Sequence, residues 1–196
     1  MCLITKMTEP VITEKDIICY KIIRKDMTSW YFNEFKWKFG KKYTSRIEEN
    51  PLNNEINHAF HSFESLDGLK DAYYMATHPC LAVKCTIPKG SKFYRGKHDY
   101  IDGYASNKLI MNEVMGVKEL YPDFDWDKYP YKEGQVIKHK AFNDKEWKDY
   151  QITNIQLSPF GNHRVDLIGE NSDTLDLACI VTKFDGVAWQ IDWESC

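Results

Sequence analysis

Hydrophobic positions in this chain follow the short apolar runs and two-residue period of β-strands more often than the period of a helix. Residues 16–23 and 80–87 are runs of β-branched, aromatic and other apolar residues that are long enough to cross a sheet. Residues 92–96 and 106–114 predict two further strands, joined by a loop that contains Gly103. The first half of the chain is therefore expected to be built on a sheet.

Aromatic and basic residues alternate along a short segment that follows the first predicted strand. Phe35, Trp37 and Phe39 fall on one side of this alternation. Lys36 and Lys38 fall on the other side. The pattern predicts a strand with one packed aromatic face and one face in water.

One helix is predicted in the first half, directly after a short strand at residues 59–63. Ser65 is a suitable N-cap, and the apolar residues after it recur at helical spacing to about residue 74. Residues 88–91 predict a tight turn in which Gly90 adopts positive φ. Residues 45–57 are rich in asparagine and acidic residues and include a proline, which predicts a loop or hairpin.

The second half begins with a change of composition. Residues 121–134 interleave acidic residues with aromatic rings and two prolines, which predicts an irregular connector that packs through its rings. Short strand-like runs at turn-separated intervals then predict a small antiparallel barrel or sandwich; these runs are residues 135–138, 150–157, 163–168, 175–181 and 187–193. The predicted organisation is a domain over residues 1–118, a linker over 119–134 and an all-β module over 135–196.

Composition and charge exclude several classes of function. The 196 residues are 43% hydrophobic and carry a formal charge of −3 with no basic block, so nothing indicates a nucleic-acid partner. No run approaches the 20 or so apolar residues of a membrane span, and the N-terminus is no signal peptide. Six scattered cysteines predict reduced thiols in a cytoplasmic protein.

Metal-site patterns are weak in this sequence. His58 and His61 are the one pair at ligand spacing, and we expect them to be strand-end histidines rather than zinc ligands. Asp123, Asp125 and Asp127 alternate as in a calcium loop, but the glycine and distal glutamate of an EF-hand do not follow. The sequence therefore predicts no metal.

Residues 17–113 contain four short motifs in a characteristic order. They are Tyr20-Lys21, Phe-Gly-Lys-Lys-Tyr at 39–43, Phe-His-Ser-Phe at 60–63 and Tyr-Ala-Ser at 104–106. In this order, over about half of the chain, they resemble a family of uncharacterised proteins from bacteriophages and gut bacteria. The resemblance implies a phage or mobile-element protein but no particular activity. We expect such a protein to lie in the host-cell cytoplasm and to bind a host or viral protein, or to be a minor structural component of the virion.

A more distant resemblance is to the ADP-ribosyltransferase fold. Its motif order is matched by Tyr20-Lys21, by residues 60–65, by Thr-Ile-Pro-Lys-Gly at 86–90 and by residues 106–111. The resemblance implies an α+β class with a split-barrel N-terminal domain, and NAD as the ligand that such a domain would cleave. Lys21 only approximates the arginine or histidine that grips NAD in those enzymes.

The last of these motifs departs from the enzymes at the position of their catalytic glutamate. Lys108 would place an ammonium group where the cation that develops on the ribose requires a negative charge. Glu113 lies five residues later, so on a regular strand it faces the opposite side, about 16 Å away. The sequence therefore favours a non-enzymatic role.

The predicted function is binding of a protein partner or a nucleotide-like ligand, without a cofactor. An atypical ADP-ribosyltransferase or NAD-cleaving enzyme is the alternative, in which Glu64 or Glu113 supplies the acid. No P-loop, Gly-x-Ser-x-Gly or Gly-x-Gly-x-x-Gly motif supports another enzyme class. The candidate ligand-binding residues are Tyr20, Lys21, His61, Ser62 and Lys108.

Aromatic residues near the predicted linker are candidate contacts for a protein partner. Trp30, Tyr31, Trp126, Tyr129 and Tyr131 are of the residue types that often anchor interfaces. The other interpretation of these rings is ordinary packing between the two modules.

Overall fold

The computed structural model describes residues 2–29, 35–50, 53–74, 80–127, 129–139, 146, 148–157, 162–169, 177–184 and 189–191. The chain divides into two compact units, Met1–Gly116 and Val117–Cys196. Among the described residues each unit is built on one antiparallel sheet, and the sheet of the first unit curls into a half-barrel. No helix in these ranges is long and apolar enough to cross a membrane.

The first unit contains eleven strands and one helix in its described part. They are β1 (Leu3–Ile4), β2 (Val11–Ile12), β3 (Ile17–Arg24), β4 (Lys42–Thr44), β5 (Glu48–Asn50), β6 (Glu55–His58), β7 (Phe60–Phe63), α1 (Leu66–Tyr74), β8 (Cys80–Ile87), β9 (Lys92–His98), β10 (Ile101–Ser106) and β11 (Lys108–Val114). The strand order is β4-β11-β8-β3-β7-β10-β9-β1-β6-β5, and β2 pairs with β9.

The second unit contains one short helix and five strands in its described part. They are α2 (Val117–Leu120), β12 (Val136–His139), β13 (Lys148–Leu157), β14 (Asn162–Gly169), β15 (Leu177–Phe184) and β16 (Trp189–Ile191). The strands follow one another in chain order across a single sheet. The architecture is thus β-rich, and the helical share of the expected α+β class is limited to α1 and α2 in these ranges.

The centre of the first sheet is well paired on one side of β3 and open on the other. All eight residues of β3 are paired with β8, whereas β3 and β7 share only the pair Tyr20–Phe63. The ladder between β3 and β7 therefore separates on either side of one contact. Beyond it, the four residues of β7 pair with β10, and six residues of β10 pair with β9.

The cross-strand register sorts side chains onto two faces of this sheet, because paired residues point to the same side and neighbours along a strand alternate. We call one side the Lys21 face and the other the His61 face. The Lys21 face carries Cys19, Lys21, Ser62, Cys85, Arg95, Tyr104 and Met111. The His61 face carries Tyr20, His61, Phe63, Tyr94 and Ala105.

Helix α1 is formed as the sequence predicts. Ser65 accepts a hydrogen bond at Oγ from the backbone amide of Gly68 at 3.1 Å, which caps the first turn. Leu69 and Tyr73 are buried, and the helix lies against β3, β7, β8 and β10. The apolar stripe of α1 thus contributes to the core at the point where the β3–β7 ladder is open.

Several predicted boundaries in the first unit are wrong. In the segment 35–39 only an isolated bridge between Lys36 and Thr28 forms, and Phe39 is 41% exposed. The rings of Phe35 and Trp37 pack edge to face with 4.6 Å between their centroids, so they form a cluster rather than one strand face. The segment 45–57, predicted as a loop or hairpin, does form a hairpin, which consists of β5 and β6.

The predicted loop around Gly103 is also a strand, β10, at the heart of the sheet. Gly103 marks a close approach, because a Cβ there would lie 2.5 Å from the carbonyl oxygen of Ser62. It would also lie 2.6 Å from Cδ2 of His98. The glycine that suggested a loop is required by tight packing between neighbouring strands.

The aromatic segment before the second sheet is irregular and packed, as predicted. Phe124, Trp126, Tyr129 and Tyr131 pack with the buried side chains of the sheet, such as Tyr150. Trp126 donates a hydrogen bond from Nε1 to the carbonyl of Tyr121 at 3.0 Å. The rings of this segment therefore belong to the core of the second unit.

Candidate functional site

A row of four polar side chains crosses the Lys21 face of the first sheet. Arg95 pairs with Tyr104, and Tyr104 pairs with Ser62. The single β3–β7 pair places Lys21 opposite Ser62. Strands β3, β7, β10 and β9 thus contribute one amine, two hydroxyl groups and one guanidinium group to a continuous line.

Lys21 has an unusual environment for an amine. Its Nζ donates a hydrogen bond to the carbonyl oxygen of His61 at 2.7 Å and lies 5.5 Å from the ring centroid of Trp37. Within the described part of the chain it forms no ion pair with a carboxylate. Burial lowers the pKa of Lys21, because the charged form is held away from water.

The open ladder explains how Lys21 reaches this position. A regular β3–β7 pairing would engage backbone carbonyls of β7 with amides of β3. Because only Tyr20 and Phe63 are paired, the carbonyl of His61 accepts from the Lys21 side chain instead. A charge-assisted hydrogen bond from Lys21 to the His61 carbonyl thus takes the place of a backbone hydrogen bond between β3 and β7.

Two further donors next to Lys21 lack a partner. Ser62 is 2% exposed, and its Oγ forms no hydrogen bond of ordinary geometry with the described residues, although it lies close enough to the Cys19 thiol to favour the thiolate form. Nε1 of Trp37 is likewise buried without a partner in these ranges. An unsatisfied buried polar group costs about 1–3 kcal/mol, and such groups are often sites where a ligand atom or a water binds.

Glu64 and Arg95 form an ion pair at the end of the polar row. Arg95 donates from Nε and Nη2 to the two carboxylate oxygens of Glu64, each at 2.6 Å. Burial and the neighbouring Glu64 carboxylate raise the pKa of Tyr104 to about 12, so Tyr104 keeps its proton at neutral pH. Of the two candidate acids, Glu64 therefore lies beside the row.

The His61 face holds a separate pair of imidazoles. The rings of His61 and His98 have their centroids 5.2 Å apart, and His98 Nδ1 lies 3.2 Å from the carbonyl oxygen of Cys2. Both nitrogens of His61 and Nε2 of His98 form no hydrogen bond of ordinary geometry with the described residues. Burial lowers the pKa of His61 to about 3 and that of His98 to about 4.

The five predicted ligand-binding residues do not converge on one surface. Lys21 and Ser62 lie together on the Lys21 face, whereas Tyr20 and His61 lie on the opposite face. Lys108 is separated from both pairs, because its Nζ approaches the carbonyl oxygen of Gly90 at 3.3 Å. The predicted set is therefore brought together only in part.

The expectation that Glu113 and Lys108 face opposite sides is wrong. The β8–β11 register shifts between Met111 and Glu113, so that one residue of β11 is unpaired and the alternation resets. Glu113 consequently shares a face with Lys108 and pairs with Lys84, whose Nζ is 3.4 Å from its carboxylate. A bulge of this kind leaves no clear mark in the sequence.

The ammonium group of Lys108 also lies away from the Lys21–Ser62 row. Lys108 pairs with Thr44 and is on the other side of the sheet from its neighbour Leu109, which is buried on the Lys21 face. The electrostatic objection to catalysis that Lys108 raised therefore does not apply to the polar row.

Sequence reasoning missed three members of the site: Trp37 as a donor, Arg95 and Tyr104. Arg95 lies in a predicted strand with alternating polar residues, which is a weak signal in itself. Tyr104 belongs to the Tyr-Ala-Ser motif, but the sequence predicts a strand only from residue 106 onward. Their common position depends on strand order, which the sequence does not display.

The proposed aromatic contact residues fall into two groups. Trp30 and Tyr31 lie outside the described residues. Trp126, Tyr129 and Tyr131 pack on one another and on the second sheet, with Tyr129 only 3% exposed. Packing within the second unit accounts for these three rings.

Comparison of the chain with protein-family models, with curated proteins and with solved structures found no match in any of the three. Within the ranges described above, no three His, Cys, Asp or Glu side chains come together in a way that could hold a metal ion.

Proposed function

We propose that the first unit is a non-enzymatic binding module for an anionic, nucleotide-like ligand, which it holds on the Lys21 face of its sheet. The observation that carries this proposal is the Lys21 amine, which is partly buried and forms no carboxylate ion pair in the described part of the chain. An anion next to it would supply the missing opposite charge. The distant likeness to the ADP-ribosyltransferase fold is part of the same interpretation.

The neighbouring groups suit the polar and aromatic parts of such a ligand. Ser62 and Trp37 offer donors that are buried and unpartnered, and hydroxyl and indole N–H groups bind phosphate or sugar oxygens. The guanidinium of Arg95 is 61% exposed at its side chain and continues the row toward solvent. We expect the ligand to lie along this line from Lys21 to Arg95.

Stabilisation against heat tests the proposal. We expect ADP-ribose, NAD or a cyclic nucleotide to raise the melting temperature in a concentration-dependent way, because a ligand that binds only the native state stabilises it by mass action. At 100 times the dissociation constant the effect is about 2.7 kcal/mol. Lys21→Met should weaken binding at least about tenfold, the effect of losing roughly 1.4 kcal/mol.

Lys108→Met is the matched control, because it removes the same charge from the opposite face of the same sheet. We expect this variant to bind the ligand as the parent chain does. Equal losses in both variants would show a nonspecific effect of net charge and would contradict the proposal. If no nucleotide in the panel stabilises the chain, a protein partner becomes the better hypothesis.

A second candidate function, NAD cleavage, is favoured by the position of Glu64. Its carboxylate lies beside Tyr104 at the end of the polar row, and Lys108 does not oppose it there. Labelled NAD distinguishes the two functions, because only an enzyme releases nicotinamide. If the parent chain cleaves NAD, and this activity is lost in Glu64→Gln but kept in Glu113→Gln, then the function is catalysis rather than binding.

A further inference from the structure

Three sulfur atoms lie in a line on the Lys21 face, beside the polar row. Met111 of β11 pairs with Cys85 of β8, and Cys85 pairs with Cys19 of β3. All three side chains are 0% exposed. Three neighbouring strands therefore present two thiols and a thioether to the same part of the core.

The sulfurs are close enough for one ion to contact more than one of them. Cys85 Sγ lies 3.5 Å from Met111 Sδ. An ion that forms bonds of roughly 2.3 Å to both sulfurs, the length found for zinc thiolates, would have a sulfur–metal–sulfur angle near a right angle. Directly opposed side chains such as Cys19 and Cys85 have Cβ atoms about 4.5–5.5 Å apart, which brings the second thiol within reach.

We propose that Cys19, Cys85 and Met111 form a binding site for one monovalent thiophilic cation, Cu(I). Thiolate and thioether ligands in a dry environment select soft ions, and Cu(I) is the soft ion that takes both. Zinc would require further nitrogen, oxygen or sulfur ligands, and no third His, Cys, Asp or Glu joins the two thiols within the described ranges. The proposal goes beyond the binding function above and does not depend on it.

The charges of the bound site balance. Cu(I) forms bonds to both cysteine sulfurs, each thiol releases its proton to solvent, and the copper keeps its oxidation state. The resulting two-thiolate complex carries one negative charge. Lys21 lies on the same face of β3, two residues from Cys19, and its ammonium form supplies the matching positive charge.

Copper loading would affect the nucleotide-like ligand through this same lysine. A negatively charged copper complex next to Lys21 makes the site less attractive to an anion, so each ligand should lower the affinity of the other. The metal experiment below uses no nucleotide. Its failure and the failure of the proposed function are therefore distinguishable.

Anaerobic titration of the full, reduced chain with Cu(I) against a chromogenic Cu(I) chelator tests the site. Because the sulfurs are buried, copper is supplied both to the native chain and during refolding from urea. We expect one Cu(I) per chain and an X-ray absorption spectrum with only sulfur in the first shell. Cys19→Ala or Cys85→Ala should reduce affinity at least about 100-fold, and Met111→Leu about tenfold.

Cys80→Ala is the matched control, because Cys80 is also buried on β8 but points to the other face of the sheet. We expect it to bind copper as the parent chain does. Met111→Leu conserves side-chain volume, so it remains informative if the alanine variants fail to fold by circular dichroism.

Three results would overturn the proposal. The first is a parent chain that retains no stoichiometric Cu(I), and the second is a Cys80→Ala loss equal to that of Cys19→Ala. The third is a reduced chain that does not bind Cu(I) but forms a Cys19–Cys85 disulfide on air oxidation. In that case the two cysteines would serve redox chemistry instead.

Discussion

Two imidazoles and one amine in the first unit are shielded from water without a carboxylate partner among the described residues. Burial lowers the pKa of Lys21, His61 and His98, because it penalises their charged forms. Lys21 keeps a carbonyl and an aromatic ring as partners, whereas both nitrogens of His61 have none in these ranges. The two imidazoles make the unit sensitive to acid.

Acidification from pH 7 to 5 should lower the free energy of unfolding. The pKa values of both histidines lie below the ordinary 6.5, at about 3 for His61 and about 4 for His98. Between pH 7 and 5 these histidines therefore bind protons in the unfolded chain but stay neutral in the native one. Stability is therefore lost as the pH falls, by roughly 1–2 kcal/mol for each imidazole. Urea denaturation at both pH values measures the loss.

His61→Leu should remove about half of this pH dependence, because the apolar side chain has no proton to exchange. His58→Leu, at an exposed position, is the control, and its free energy of unfolding should depend on pH as that of the parent chain does. A loss between pH 7 and 5 that is identical in His61→Leu and the parent would contradict the assignment to this buried ring.

At the scale of elements, one bulge and one cap decide where side chains point. The bulge in β11 places Glu113 on the face of Lys84 and Lys108, although Lys108 and Glu113 are five positions apart on the strand. The cap at Ser65 fixes the start of α1 immediately after β7, which holds Glu64 between the two elements. Small local features thus set the position of a candidate acid.

Ser65→Ala should destabilise the chain by about 1 kcal/mol, because the first turn of α1 loses the acceptor for the Gly68 amide. The midpoint of urea unfolding measures the change. Ser65→Asp keeps an acceptor at the same place and should retain most of the stability. An aspartate variant as unstable as the alanine variant would show that the hydroxyl has another role.

The whole molecule consists of two units with separate hydrophobic cores. Cys19, Ile23, Val83 and their neighbours form one core of the first unit, and Tyr150, Ile152 and Val165 belong to the core of the second. The described aromatic residues of the segment 121–131 contribute to the second core, so the boundary at Gly116 precedes them. Each unit therefore has the apolar core that independent folding requires.

A fragment of residues 1–116 should fold without the rest of the chain. We expect a strand-rich circular dichroism spectrum and a single cooperative urea transition, because the strands and core of this unit are complete within the fragment. A fragment that ends at residue 87 is the control and should be unfolded, since it lacks β9, β10 and β11. An unfolded 1–116 fragment would mean that the two cores are interdependent.

Local sequence determined the elements whose signals are local. The apolar runs of β3 and β8, the cap of α1 and the positive φ of Gly90 at +76° follow from side-chain type and turn chemistry. The antiparallel strands of the second unit were predictable for the same reason. Each of these features depends on residues a few positions apart.

Only the tertiary structure decided which of these elements meet. The glycine-containing β10 forms because the neighbouring strands β7 and β9 supply its hydrogen-bond partners, a contribution that local propensity does not contain. Strand order likewise joins Lys21 to Ser62 and Cys19 to Cys85, while the bulge turns Glu113 toward the face of Lys108. The physical reason is that a sheet couples residues through register across strands, and register is set by the packing of the entire sheet.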